Sequence, residues 1–262
     1  MDRLLIRLFG RRIMFLFGDS SVWDRYRWYS RLLPKTRDKL RFLDVGCGNG
    51  SFTLEAAARG YDCTGLTWDD EAAERARARA KLLGVEARFM AQDARRLDEA
   101  DIGAFDFIIN FENIEHLIDD RKLLADIVAK LNVGGFLLLT TPYYFFPIIT
   151  QMDIGPYLPP IEDGRHVKRG YTEAELRRMG DEVGLSVELV SFCTGPCSRA
   201  LVRVGRWFNG KIGSALLLPF KVMAEAIDNG LGPVSRLEAL SICVLFQKLP
   251  APRAAPGAPS TR

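Results

Sequence analysis

An α/β protein with a doubly wound, Rossmann-like sheet of seven strands is the fold this 262-residue sequence predicts. Three observations carry that expectation. From residue 40 onward, short apolar runs alternate with helix-type runs. A glycine-rich turn, Gly46-Cys47-Gly48-Asn49-Gly50, links the first strand-like run to the first helix-like one. Finally, 48% of the residues are hydrophobic, enough for one well-buried core plus extensions.

Residues 1–39 precede the alternating pattern and are read as an N-terminal helical extension. Within them Leu5, Leu8, Phe9, Ile13, Leu16 and Phe17 form an apolar stripe at helical spacing, with Arg3, Arg7 and Arg11 off it. A basic amphipathic helix of this kind suits either a membrane surface or packing on the domain or a second subunit, as in a homodimer. Arg41–Val45 follows as a strand and Ser51–Arg59 as a helix. Asp62–Leu66 is the second strand, and Asp70–Leu83, rich in Ala, Arg and Glu, a helix that Gly84 stops. Glu86–Met90 and Phe105–Asn110 are strands three and four, and Asp119–Lys130 is helical. Gly135–Thr141 is the fifth strand. Thr172 is placed to cap a helix to Val183, with Glu175 completing a capping box. Leu185–Phe192 and Ala239–Lys248 supply the last two strands. The domain thus spans 40–249, with insertions at 142–170 and 194–237 on the substrate side. The Pro-, Ala- and Gly-rich tail 250–262 is expected to be disordered.

Net charge is only +3, so nothing global indicates a nucleic acid partner. The distribution is uneven: residues 1–41 carry +7 and the remainder −4. Five cysteines at irregular spacings make no disulfide framework, and Cys193 and Cys197 alone are weak evidence for a metal; a reducing cytoplasm fits best. No apolar run approaches the length of a membrane span, and no signal-peptide pattern opens the chain.

The glycine turn separates two ligand classes. Asp44 stands two residues before Gly46, at the carboxyl end of the first strand. A carboxylate there repels a pyrophosphate and attracts a ligand carrying an ammonium and a sulfonium; S-adenosylmethionine is such a ligand. A dinucleotide turn also wants G-x-G-x-x-G, whereas this one is G-x-G-x-G with Ser51 in place of the last glycine.

In the run Leu43-Asp44-Val45-Gly46-Cys47-Gly48-Asn49-Gly50 the chain resembles the class I S-adenosylmethionine-dependent methyltransferases, from about Arg41 to Phe192 and again at Ala239–Leu249. The resemblance implies cofactor contacts from Asp44, Gly46, Cys47 and Gly48. It puts Thr67 where the family usually has an acid for the ribose hydroxyls, so that bond lacks charge assistance. A similar Thr occurs in the cyclopropane fatty acid synthase branch. Trp68 takes the position that packs on adenine, and Asp69 is read as a helix cap. Gln92-Asp93-Ala94 resembles the loop whose Asp accepts from the adenine amino group, with a plain helix cap as the alternative for Asp93. Asn110 would meet the methionine moiety through its carbonyl. Ser21–Ser30, with Trp23, Tyr26, Trp28 and Tyr29, resembles the lid over the cofactor.

Chemistry is expected from Phe111-Glu112-Asn113-Ile114-Glu115-His116. If a helix begins here, Glu112, Glu115 and His116 share a face by i, i+3, i+4 spacing. The E-x-x-E-H pattern resembles ubiquinone-type O-methyltransferases, where these positions are implicated in binding a divalent metal such as Mg²⁺, Mn²⁺ or Zn²⁺; the alternative is that they anchor a loop. A hydroxyl acceptor must lose its proton, which assigns His116, then His166, as general base. The apolar run Tyr143–Ile149 is either a core-facing loop or the wall of an acceptor pocket. With Leu216–Leu218, Phe220, Val222 and Met223 it suggests an amphiphilic, lipid-linked or glycan acceptor, with Arg165, Lys168 and Arg169 available for its anionic groups. The expectation is therefore a cytoplasmic enzyme, free or associated with a membrane surface, that methylates oxygen. A carbon- or nitrogen-directed relative and a catalytically silent cofactor-fold binding protein are the alternatives.

Overall fold

The computed structural model describes residues 6–7, 10–16, 20–146, 160–207, 211–230, 234 and 238–250. In chain order the elements are α1 (Ile13–Leu16), α2 (Ser20–Leu32), β1 (Arg41–Val45), α3 (Ser51–Ala57), β2 (Asp62–Thr67), α4 (Asp70–Leu83), β3 (Arg88–Ala91) and β4 (Phe105–Phe111). They continue with α5 (Asp120–Ala129), β5 (Leu131–Pro142), α6 (Glu173–Glu182), β6 (Leu185–Cys193), α7 (Pro196–Trp207), α8 (Lys211–Gly230) and β7 (Ser241–Lys248). Short 3-10 turns occupy Ala94–Arg96 and Ile114–His116.

All seven strands join one sheet in the order β3-β2-β1-β4-β5-β7-β6. The pairs from β3 to β5 are parallel, and β7 runs antiparallel between β5 and β6. The order turns around at β1 and β4, which opens a crevice at their carboxyl ends. Successive residues of a strand face opposite ways, and the core divides accordingly. Leu43, Ile108, Leu137 and Val244 belong to one cluster, which takes in Leu123 and Ile127 of α5 and Leu176 of α6. Phe42, Ile109, Leu138 and Cys243 belong to the other, together with Trp23, Tyr26, Trp28 and Tyr29 of α2. The aromatic segment expected as a lid is therefore built into that core. Tyr29 meets Phe42 and Phe111 of the sheet, and Tyr26 stacks on Phe15. Trp28 meets Phe111 and donates from Nε1 to Ser191 Oγ of β6 at 2.9 Å.

Capping follows the sequence signals. Asp69 accepts from Glu71 N at the start of α4, and Gly84 ends that helix at φ +64°. Thr172 accepts from Glu175 N at the start of α6, the first half of the expected capping box, while the Glu175 carboxylate lies 3.8 Å from Lys168 Nζ. Some boundaries move. β5 begins at Leu131, ahead of the expected Gly135, because Leu131 already pairs with Phe105 before a register shift in β4. Helix α3 stops at Ala57, short of Arg59, whose guanidinium binds Glu55 and the carbonyl of Ser30.

The extensions differ more. The N-terminal stripe is interrupted at Gly10 (φ +67°), and Ile13 and Phe15 are buried on the domain. Leu5, Leu8, Phe9 and Phe17 lie outside the described residues, as do 147–159 and the tail from 251. In the 142–170 insertion Tyr143 and Phe146 are buried while Tyr144 and Phe145 are exposed. Cys193, read beside Cys197, has the sulfur of Cys243 as its neighbour at 2.9 Å across the β6–β7 ladder. The apolar residues of α8 do not wall a pocket as a set: Leu216, Phe220, Val222 and Met223 are exposed, and Lys221, Glu225 and Asp228 face inward.

Candidate active site

The glycine turn lies at the carboxyl end of β1. Gly46 N and Cys47 N both donate to Leu66 O, at 2.9 and 2.7 Å, which fastens the turn to β2. Gly46, Gly48 and Gly50 have φ of +85°, +50° and +79°, a region that side chains resist. A Cβ on Gly46 would stand 2.8 Å from Asn113, and one on Gly50 2.7 Å from the Phe89 ring. At Gly48 no described residue lies within 4 Å of an added Cβ, so the middle of the turn faces space where a ligand can approach the backbone.

Asp44 is 3% exposed, and its carboxylate accepts from Thr53 Oγ1 at 2.7 Å. Burial raises its pKa to about 7, with the Thr53 hydroxyl opposing. Among the described residues no cation offsets that cost, so the site favours an incoming positive charge. Further along the same edge Thr67 is buried and its hydroxyl faces Asp69 N at 3.5 Å. Trp68 is 81% exposed, an indole standing in solvent beside the crevice. Asp93 accepts from Arg95 N and holds the Arg95 guanidinium, which keeps its carboxyl below the usual range. Arg95 reaches on to Glu162 at 2.8 Å. Ala94 begins the 3-10 turn that Asp93 caps, so the cap reading of Asp93 is present in the geometry. Asn110, fully buried, donates from Nδ2 to Val45 O at 3.0 Å and thereby ties β4 to the end of β1.

The expected helix over 112–116 does not form. β4 runs through Phe111, which pairs with Thr140, and Glu112 N donates to Thr140 O at 2.8 Å. The backbone is thus committed to the sheet, and Glu112 turns out of it at φ +46°. Only Ile114–His116 coil, as a single 3-10 turn, so the i, i+3, i+4 face of Glu112, Glu115 and His116 is absent. The Glu112 carboxylate pairs with Arg25 of α2 at 3.3 Å.

Glu115 keeps a central place. It is fully buried, accepts from Thr141 Oγ1 at 3.1 Å, and desolvation pushes its pKa well above the ordinary carboxyl range, with Glu112 adding to the rise. Its backbone oxygen accepts from Val167 N and Lys168 N, at 2.9 and 3.2 Å. That clamp brings in the distant His166, whose ring meets His116 edge to face with centroids 4.7 Å apart. Lys168 in turn pairs with Asp120, which also accepts from Tyr171 Oη at 2.7 Å. Glu115, His116 and His166 can place one donor atom each within 4.8 Å of one another. His166 therefore takes the position that sequence spacing gave to Glu112.

Comparison with known proteins identifies the domain. A family model described as a methyltransferase domain matches residues 20–190. The chain belongs to that methyltransferase family. It is 30% identical over 154 residues to the ubiquinone biosynthesis O-methyltransferase of Aeromonas salmonicida, a match covering 58% of this chain and 65% of that one. The chain thus spans less than two thirds of that relative. Among solved structures, magnesium protoporphyrin IX methyltransferase from Synechocystis with bound S-adenosylhomocysteine superimposes with a TM-score of 0.53 at 16% identity, covering 94% of this chain and 97% of that one. The [4+2]-cyclase SpnF gives a TM-score of 0.57 at 16% identity, covering 87% and 81%. At such identities the structural likeness establishes the fold.

In this methyltransferase-family domain, buried polar atoms without a partner gather at the crevice. Asn110 Oδ1, Asn113 Nδ2, Glu115 Oε1, His116 Nδ1 and Thr140 Oγ1 all lie at the carboxyl ends of β4 and β5 or in the turn after β4. Each unmet group of this kind costs about 1–3 kcal/mol, so their concentration suits a polar ligand. Arg25, Thr53 and Asn113 were not singled out from sequence. The signal for Arg25 was a cation inside an otherwise aromatic helix face; Thr53 and Asn113 offered none, because their contacts run across the sheet edge.

Proposed function

We propose that the protein is an S-adenosylmethionine-dependent methyltransferase that acts on a hydroxyl of an amphiphilic, lipid-linked or glycan-type small acceptor. The observation that carries the first half is the buried Asp44 beside an alternate-glycine turn whose centre is open. Asp44 neutralises the ammonium of the cofactor, and Gly46, Cys47 and Gly48 give it a close backbone approach. Thr67 bonds the ribose, Trp68 covers the adenine, and Asp93 with Ala94 borders it. Asn110 lies under the methionine moiety.

The second half rests on Glu115, His116 and His166. Methyl transfer displaces the sulfonium in line, so holding acceptor and donor in register supplies much of the rate. Oxygen becomes a competent nucleophile when its proton leaves, and His116 takes it, with His166 packed against the same ring. Glu115 fixes the loop that carries His166 through its backbone oxygen, which accepts from Val167 N and Lys168 N. The same donors suit a divalent ion: two imidazoles and a carboxyl match Zn²⁺ better than Mg²⁺, and such an ion would acidify the acceptor hydroxyl. A chelator separates the two routes. The fold alone does not set the chemistry, as the cyclase among its structural neighbours shows. A silent binding protein and a carbon- or nitrogen-directed enzyme are therefore outcomes of the assay.

The test is a methyl-transfer screen with labelled cofactor over lipid and polar extracts, repeated with His116→Ala and His166→Ala. We expect at least a 100-fold loss in turnover for His116→Ala, in line with removal of a general base, and unchanged cofactor binding by calorimetry. Full turnover in both variants would remove the histidine base.

A further inference from the structure

Helix α8 is inside out. Taking 100° per residue, Leu216, Phe220, Met223 and Ile227 fall on one side at i, i+4, i+7 and i+11. These four and Val222 are 42–63% exposed. The charged residues of the same stretch point inward: Lys221, Glu225 and Asp228 are at most 8% exposed. Each has a structural partner there. Lys221 Nζ donates to Leu16 O at 2.8 Å, Glu225 pairs with Arg27 and Arg31, and Asp228 accepts from Cys197 N and Ser198 N to cap α7. The orientation is therefore fixed by buried polar contacts, and the apolar face is left to solvent. A helix whose outer face is Leu, Pro, Phe, Val, Met and Ile calls for a partner that is itself apolar.

We infer that this face docks on an anionic lipid bilayer. The exposed row from Leu216 to Ile227 is about 17 Å long at 1.5 Å per residue, the footprint of an interfacial helix lying in the headgroup region. Its flank is cationic. A groove of about 630 Å³ between α8 and the α1–α2 segment is lined by Leu218, Val222 and Ala226 on one side and by Arg12, Trp23 and Arg27 on the other. Among the described residues Glu225 is the only acid lining it, and it is already engaged by Arg27 and Arg31. Residues 1–41, which supply these arginines, carry +7, against −4 for the remainder. Cations held near an anionic surface are attracted to it within about a Debye length. A second copy is a poorer occupant, because a two-fold contact would bring the same cationic flank against itself. No helix among the described residues is long and apolar enough to cross a membrane, so the contact is peripheral. The surface stands apart from the glycine turn and does not depend on the chemistry proposed for it.

The experiment is co-sedimentation of the full chain with vesicles of equal parts phosphatidylcholine and phosphatidylglycerol, beside vesicles of phosphatidylcholine alone. The expected result is binding to the mixed vesicles, at least tenfold weaker on the neutral ones. The Phe220→Glu/Met223→Glu double variant should lose at least tenfold more, with unchanged circular dichroism and unchanged S-adenosylmethionine binding. Both substituted side chains are in solvent, so the variant tests docking and leaves folding alone. Absence of vesicle binding by the parent chain, equal binding by the double variant, or a dimer in gel filtration that the variant splits without any vesicle binding would each overturn the inference.

Discussion

Asp44, Gly46 and Gly48 show how much a single position decides. Asp44 was legible because an acid before alternating glycines suits a cationic ligand, but its burial and the Thr53 bond come only from the fold. The glycines make separable predictions. Gly46→Ala puts a methyl 2.8 Å from Asn113 at φ +85°, so it should destabilise the fold by about 1–3 kcal/mol in urea unfolding. Gly48→Ala meets no neighbour within 4 Å and bears only the left-handed backbone cost of about 1–2 kcal/mol. If that open space holds the cofactor, Gly48→Ala should lose more cofactor affinity than its modest stability loss explains, read by calorimetry at a temperature where it is folded. Unchanged affinity would place the cofactor elsewhere.

At the scale of elements, the strands of β1 through β5 were readable because apolar alternation and glycine stops are local signals, and those strands carry the crevice. What failed was the run after β4. Glu112, Glu115 and His116 have helical spacing, yet hydrogen bonding from β4 to β5 extends through Glu112 and leaves room for one 3-10 turn. Periodicity could not register that competition, since the partner strand lies more than twenty residues away. The replacement of Glu112 by His166 is equally non-local, made by two backbone bonds to Glu115 O. In α8 the apolar residues were visible, but not that Lys221, Glu225 and Asp228 would turn inward. Their partners come from the N-terminal segment, α2 and α7.

For the whole molecule, buried acids couple folding to pH, Asp24 and Asp44 beside Glu115. Burial raises both Asp24 and Asp44 from 3.8 to about 7, and Glu225 and Asp228 add to the rise at Asp24. The folded state therefore holds these protons more tightly than the unfolded chain. Their contribution to stability is fully present below about pH 4, declines as pH rises to about 7, and is flat above. Asp24→Asn keeps an acceptor for Ser198 Oγ and removes one titration, so its unfolding free energy should decline less between pH 5 and pH 8, on the order of 1 kcal/mol or more. Parallel profiles for variant and parent, measured by urea unfolding, would contradict the assignment.

The proposed methyl donor meets the same carboxylate. An ammonium against Asp44 favours the ionised form, so cofactor affinity should rise with pH up to about 7 and then level off. The most direct measurement is calorimetric titration of S-adenosylmethionine into the parent chain and Asp44→Asn across that range. The account predicts one site per chain in the parent, with the pH dependence just described. It predicts affinity about 10- to 100-fold lower in Asp44→Asn, the worth of one charge-assisted bond, with the pH dependence gone. No binding by the parent, or equal and pH-independent binding by both, would contradict it.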